Sequence, residues 1–98
     1  MRKPDYERRV VVTGLGVISP VGNDVETAWS NLVNGVTGLV PLTRFDTTPY
    51  DAKVGGEVHD FVASEWMDAK AARRTESTVA FGVAAAKQAL ADSGLELT

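Results

Sequence analysis

The run from Arg9 to Ser19, RVVVTGLGVIS, constrains the fold more than any other part of the chain. A strand with one face in water alternates apolar and polar residues, whereas this run is rich in β-branched residues and shows no such alternation. The run therefore predicts a central parallel strand buried on both faces. Such a strand needs neighbouring strands at both edges and helices above and below it.

The segment that follows has the pattern of an amphipathic helix. Asn23 or Asp24 can cap its start, Glu26 places a negative charge in its first turn, and Asn34-Gly35 supplies its stop. Its apolar residues recur at helical spacing: Val25, Ala28, Trp29, Leu32 and Val33. We expect this helix to lie against the strand, with Trp29 in the core.

The rest of the chain predicts a loop, a short strand and two further helices. Residues 36–50 have the proline and hydroxyl content of an ordered loop, and Lys53 to Val58 predicts a short strand. Ser64 to Arg74 predicts a short helix with Ser64 as its cap. The segment from Thr75 to Ser93 is apolar around almost its whole circumference, which predicts a buried helix.

These predicted strands and helices cannot form a complete hydrophobic core by themselves. A doubly buried strand has only one other short strand to pair with, and the last helix has too few elements to cover it. The sequence therefore predicts that residues outside this chain complete the core.

Composition narrows the possible functions. A net charge of −3 and a pI near 5.0 argue against nucleic acid as a partner. The chain has no cysteine and one histidine, so we expect no disulfide, no metal site and no cofactor. The charged start, MRKPDYERR, lacks the apolar stretch of a signal peptide, and no run is long enough to cross a membrane. A cytoplasmic location is the simplest expectation.

Several residues resemble parts of cofactor or catalytic sites, but the sequence favours structural roles for them. Gly14 and Gly16 follow a strand as in a dinucleotide site, but the third glycine and the acidic residue of that motif are missing, so a tight strand exit is favoured. His59 beside Asp60 is favoured as structural rather than as a general base. Asp46 is favoured as a turn cap or ion-pair partner.

A family resemblance covers the chain from residue 9 onwards. The stretch RVVVTGLGVISPVGNDVETAW, the later RFDTTPY and the final AARRTESTVAFGVAAAKQALADSGL occur in this order. Together they resemble the opening of β-ketoacyl-acyl carrier protein synthases of the discrete, elongating class. The resemblance implies an α/β fold, the thiolase-like αβαβα layered arrangement, of which this chain supplies an incomplete N-terminal part. Residues 1–8 would be a polar lead and residues 9–98 a partial synthase domain.

The resemblance also implies an activity. In this family a cysteine takes an acyl group from its thioester, and two histidines assist decarboxylation of the malonyl thioester and condensation. Those positions lie beyond the first quarter of the family chain, so no residue here is a catalytic candidate. The family further implies an acyl carrier protein partner and a homodimer for the whole enzyme.

One site is implied for this chain. Lys70, Arg73 and Arg74 fall at i, i+3 and i+4 and share one face of the predicted short helix. They resemble basic residues that form part of the family's docking patch for the acidic acyl carrier protein. The alternative is a solvated helix end whose cations offset the helix dipole. Trp66, nearby, is favoured as packing over docking.

Three functions stay open from the sequence. The chain can belong to an active elongating synthase of fatty acid biosynthesis, to a catalytically silent relative of the chain-length-factor type, or to a non-enzymatic fragment that needs a complementary chain. The presence or replacement of the nucleophilic cysteine in the adjoining sequence would separate them.

Overall fold

The computed structural model describes residues 8–97, so the predicted polar lead lies almost wholly outside the described residues. The elements in chain order are a helix α1 (Val25–Val33), strands β1 (Leu39–Pro41) and β2 (Val54–Gly56), a 3-10 turn (Ala63–Glu65), and helices α2 (Ala69–Arg74) and α3 (Ser77–Ser93). The arrangement is a partial α/β fold in which helices dominate and the sheet is small.

The segment 9–19 is not the paired strand that we predicted. Its only β-type pairing within residues 8–97 is an isolated bridge between Ser19 and Gly22. Val10 is 96% exposed, and Val11 and Val12 are exposed as well. The physical reason is that the described part of the chain brings no strand alongside this segment, so the side chains of Val10, Val11 and Val12 face solvent.

The later part of this segment packs on α3. A Cβ built on Gly14 would lie 2.1 Å from the carbonyl oxygen of Ala89, so only a glycine allows the two backbones to approach this closely. The Leu15 N–H donates to the Asp92 carboxylate at 3.0 Å, and the Val17 N–H donates to the Gln88 side-chain oxygen at 3.1 Å. The glycines therefore allow the extended segment to approach the backbone of α3 closely.

Helix α1 matches its prediction in extent but not in burial. The Asp24 carboxylate accepts the Thr27 N–H at 2.7 Å, which identifies Asp24 as the cap. Ala28 is buried, whereas Trp29 is 67% exposed. The expectation that Trp29 lies in the core is therefore wrong for this chain, because no described element covers that side of α1.

Strands β1 and β2 form a two-stranded antiparallel sheet. Leu39 pairs with Gly56 and Pro41 with Val54. The strand predicted within residues 53–58 is confirmed, but its partner lies in the segment that we predicted to be a loop. Local composition concealed β1, because three residues ending in proline give no strand pattern.

The two C-terminal helices also differ from their predictions. The predicted helix over 64–74 is divided into the 3-10 turn and α2, and Asp68 rather than Ser64 caps α2. Helix α3 begins at Ser77, two residues later than predicted, and ends at the predicted Ser93 with Gly94 as its cap. It is not buried all round, since Ala80 and Ala84 are its only buried residues and Val79 is exposed.

The chain as a whole is less compact than an independent domain. Its accessible surface is 8100 Å² at a mass of 10.5 kDa, whereas a compact monomer of that mass exposes about 5,400 Å². The radius of gyration is 17.6 Å, against about 13 Å for a compact domain of this length. Among the described residues the buried apolar side chains are three alanines, which agrees with the predicted incomplete core.

Candidate functional site

Helix α2 is short but is capped at both ends. The Asp68 carboxylate accepts the Ala71 N–H at 2.8 Å, which satisfies one of the free donors of the first turn. The Thr75 hydroxyl donates to the Ala71 carbonyl oxygen at 2.6 Å. These two contacts explain why a segment of only six residues is helical here.

The three predicted docking residues lie together on α2. Lys70, Arg73 and Arg74 are all exposed. No hydrogen bond or ion pair involves their side chains within the part of the chain that the structure describes, residues 8–97. We call these three residues the α2 cation stripe. Like charges at i, i+4, as at Lys70 and Arg74, destabilise a helix by about 0.2–0.5 kcal/mol, whereas Arg73 and Arg74 in the last turn of α2 are placed where the helix dipole favours cations.

Contacts with α3 fix the position of α2. Phe61 and Phe81 meet edge to face, with ring centroids 4.9 Å apart and ring planes at 86°. The Lys87 ammonium donates to the Trp66 carbonyl oxygen. Trp66 is half-buried, which favours the predicted packing role. The segment that leads into α2 is therefore attached to α3 at two points.

A groove of 430 Å³ lies between α2 and the segment before it. Its walls are mostly apolar: Phe61, Val62, Ala63, Ser64, Ala69, Ala72 and Arg73. We call it the α2 groove. Sequence reasoning missed it because Phe61 and Val62 precede the predicted helix and give no periodic signal, while Ala69 and Ala72 are too small to stand out as a docking face.

A polar network that the sequence did not reveal joins three segments. The Gln88 amide nitrogen donates to the Asn23 carbonyl oxygen at 2.6 Å, and the Asn23 amide nitrogen donates to the His59 carbonyl oxygen at 2.7 Å. Gln88 and Asp92 are one helical turn apart on α3. This i, i+4 polar pair in an otherwise apolar helix is the sequence feature that could have indicated the network.

His59 does not form the acid–base pair considered from the sequence. Its backbone carbonyl accepts a hydrogen bond from Asn23, but no hydrogen bond or ion pair joins its imidazole to Asp60 within residues 8–97. Asp60 itself adopts φ 58°, the left-handed region. The structural role favoured for His59 is in line with this arrangement.

Two carboxylates hold the loop around β1 and β2. The Thr48 hydroxyl donates to Asp46 at 2.6 Å, and its N–H donates at 2.9 Å, and these bonds lower the pKa of Asp46 below its ordinary value. Glu57 is buried and accepts the N–H of Thr43 at 2.9 Å and its hydroxyl at 2.8 Å. These bonds lower the pKa of Glu57. Asp46 is thus the predicted turn cap, and both carboxylates are structural.

The described residues contain no cluster of three or more histidine, cysteine or acidic side chains suited to a metal. No helix within residues 8–97 is long and apolar enough to span a membrane.

Gly14 and Gly16 face the backbone of α3 at contact distance, so a Cβ at either position would meet the helix. No space for a phosphate group is left at that side of the two glycines. The glycine pair has a structural role, as the sequence favoured, but it packs on α3 and does not follow a paired strand.

Comparison with known proteins gives the family. The profile described as "Beta-ketoacyl synthase, N-terminal domain" matches residues 7–98. The chain belongs to the β-ketoacyl synthase family. It is 48% identical over 92 residues to the 3-oxoacyl-[acyl-carrier-protein] synthase 2 of Vibrio harveyi, covering 94% of this chain. It is 41% identical over 90 residues to the synthase 2 of Staphylococcus aureus strain COL, covering 92%.

A solved structure shows the same backbone. The ishigamide ketosynthase/chain length factor superposes on 91% of this chain with a TM-score of 0.82 at 39% sequence identity. This establishes the thiolase-like fold class predicted from the sequence. The chain spans 22% of the length of each of these β-ketoacyl synthases, which accounts for the open core.

Proposed function

We propose that this chain is the N-terminal portion of an elongating 3-oxoacyl-acyl carrier protein synthase of fatty acid biosynthesis. The observation that carries the proposal is 48% identity to a synthase of that name over 94% of the chain. The whole enzyme condenses an acyl thioester with malonyl-acyl carrier protein, works as a homodimer in the cytoplasm, and needs no cofactor. Residues 9–98 form part of its synthase domain.

The chain contributes framework and docking, not the nucleophile. It contains no cysteine, so the acyl-accepting thiolate must belong to residues outside it. What supports a framework role is the packing of α3 against the glycine pair and the polar network at Gln88. Without the remaining part of the domain the chain is inactive.

The α2 cation stripe is the proposed docking site for acyl carrier protein. Its three side chains are exposed, free of partners within residues 8–97 and held on a capped helix. Acyl carrier proteins are acidic, so a local basic stripe attracts them even though this chain has a net charge of −3. The stripe steers the carrier to the synthase and does not touch the reacting atoms.

The experiment is a hybrid synthase, in which this chain replaces the matching 22% of the Vibrio harveyi synthase 2. The hybrid should condense carrier-linked acyl and malonyl substrates, because the nucleophile comes from the Vibrio portion. The 98-residue chain alone should show no turnover. A hybrid that folds, dimerises and binds the carrier but does not condense would contradict the proposal.

A second function, a catalytically silent partner subunit, is favoured by one observation. One solved structure that superposes on this chain is a ketosynthase/chain length factor. The sequence adjoining Thr98 in the genome separates the two functions, since an elongating synthase carries the cysteine and a silent partner does not. A true stop codon there would favour the non-enzymatic fragment that needs a complementary chain.

A further inference from the structure

The α2 groove and the α2 cation stripe are adjacent faces of one helix. Ala69, Ala72 and Arg73 line the groove at i, i+3 and i+4. The stripe begins one residue later, at Lys70, and the two sets share Arg73. Because successive helix positions are rotated by about 100°, the groove and the stripe lie side by side.

Within residues 8–97 the groove walls are apolar yet open to solvent. Val62 is 47% exposed, and Ala69 is exposed at the start of α2. Phe61 forms a fixed wall because it is packed edge to face on Phe81. An apolar groove bordered by cations fits an aliphatic side chain that has carboxylates beside it.

We infer that the α2 groove receives an aliphatic side chain from the same acidic acyl carrier protein whose carboxylates meet Lys70, Arg73 and Arg74. This inference rests on the proposed docking function and adds an apolar anchor to it. Charge complementarity selects the occupant, since a neutral apolar partner would gain nothing from the three cations at the rim. The cations set the rate of encounter, and the anchor sets the lifetime of the complex.

Neutral substitutions separate the anchor from the charges. Val62→Ser removes the apolar wall without changing the charge, and Val36→Ser is its matched control, because Val36 is 48% exposed and lies away from the groove. Ala69→Gln fills the groove with a good helix former, and Ala86→Gln, at an exposed position of α3, is its control. Each variant is made in the hybrid synthase, with circular dichroism as a check on folding.

The measurement is the Kd for the acyl carrier protein of Vibrio harveyi at low and at high salt. Val62→Ser and Ala69→Gln should each weaken binding about tenfold. This loss should persist at high salt, because an apolar contact is not screened. The controls should bind like the unsubstituted protein. Reversing the three charges should weaken binding mainly at low salt.

The outcomes distinguish the inference from the proposed function. If charge reversal weakens binding but both groove variants match their controls, the anchor is overturned and the docking proposal stands. If no variant changes the Kd, or the unsubstituted hybrid does not bind the carrier, the docking proposal fails as well. If the groove variants alter self-association in sedimentation and leave carrier binding unchanged, the groove is a contact between copies and the inference is overturned.

Discussion

Gly16 lies so close to Ala85 that a Cβ on Gly16 would fall 1.9 Å from the Ala85 carbonyl oxygen. Real Cβ atoms do not approach a backbone oxygen to that distance, and α3 cannot yield without moving as a whole. The extended segment and the long helix are therefore held together by backbone contact. This contact holds the extended segment on α3 although no large side chain among residues 8–97 is fully buried.

Gly16→Ala should separate the two elements. We expect the substitution to lower the free energy of unfolding of the hybrid synthase by about 3 kcal/mol, because the added methyl group meets backbone on the helix side. Gly82→Ala is the control, since a Cβ at Gly82 meets no atom within 4 Å. That change should stabilise α3 by about 1 kcal/mol. Denaturant unfolding measures both, and equal effects at the two positions would show that the contact is not tight.

Charge reversal tests the docking proposal on turnover. Changing Lys70, Arg73 and Arg74 to Glu in the hybrid synthase should lower kcat/KM for the carrier-linked substrate about 10- to 100-fold at low salt. The loss should shrink as salt screens the charges. Turnover of a small acyl thioester, which makes no docking contact, should fall far less. Equal loss on both substrates would contradict docking.

The sequence predicted the ends of α1 and the C-terminal end of α3 because their signals are local. Asp24 as a cap, the stop at Asn34-Gly35 and the end of α3 at Gly94 all depend on residues within one turn of each other. The cation stripe was predictable for the same reason, since i, i+3 and i+4 spacing on a short helix needs no tertiary information.

What the sequence did not predict depends on partners distant in the chain. The β1–β2 pairing joins residues about fifteen positions apart without a strand pattern at β1. The α2 groove needs Phe61 to meet Phe81. The sequence also predicted burial that the structure does not show. Trp29 and Val79 recur at the spacing of core residues, but the surfaces that would cover them are not among residues 8–97. Periodicity reports what a residue is suited to contact, not whether the contact is present.

Glu57 makes the β1–β2 loop sensitive to acid. Hydrogen bonds from Thr43 lower the pKa of Glu57 below its ordinary 4.5. Its contribution to loop stability is therefore complete above pH 4.5 and is lost as the pH falls through the lower folded pKa. The amide signals of Thr43 and Arg44 should shift in that acidic range. Glu57→Gln should remove the transition and loosen the loop at neutral pH, whereas Glu65→Gln should do neither.

The 98-residue chain alone should not unfold cooperatively. Its buried apolar side chains within residues 8–97 are Ala28, Ala80 and Ala84, which provide too little apolar burial for an all-or-none transition. Calorimetry should show a broad transition or aggregation, because exposed valines and unpaired backbone favour association. A sharp two-state transition of a soluble monomer would contradict this expectation.

Val11→Pro distinguishes an exposed segment from a central strand. In the 98-residue chain the Val11 N–H has no partner within residues 8–97 and its side chain is exposed, so a proline should leave the circular dichroism spectrum unchanged. In the hybrid synthase, neighbouring strands should pair with this segment, and the proline should cost about 3 kcal/mol by deleting a ladder hydrogen bond in a buried site. Ala52→Pro, in an exposed loop, should be tolerated in both proteins. If Val11→Pro is equally harmless in the hybrid, the segment is not the central strand that its sequence predicts.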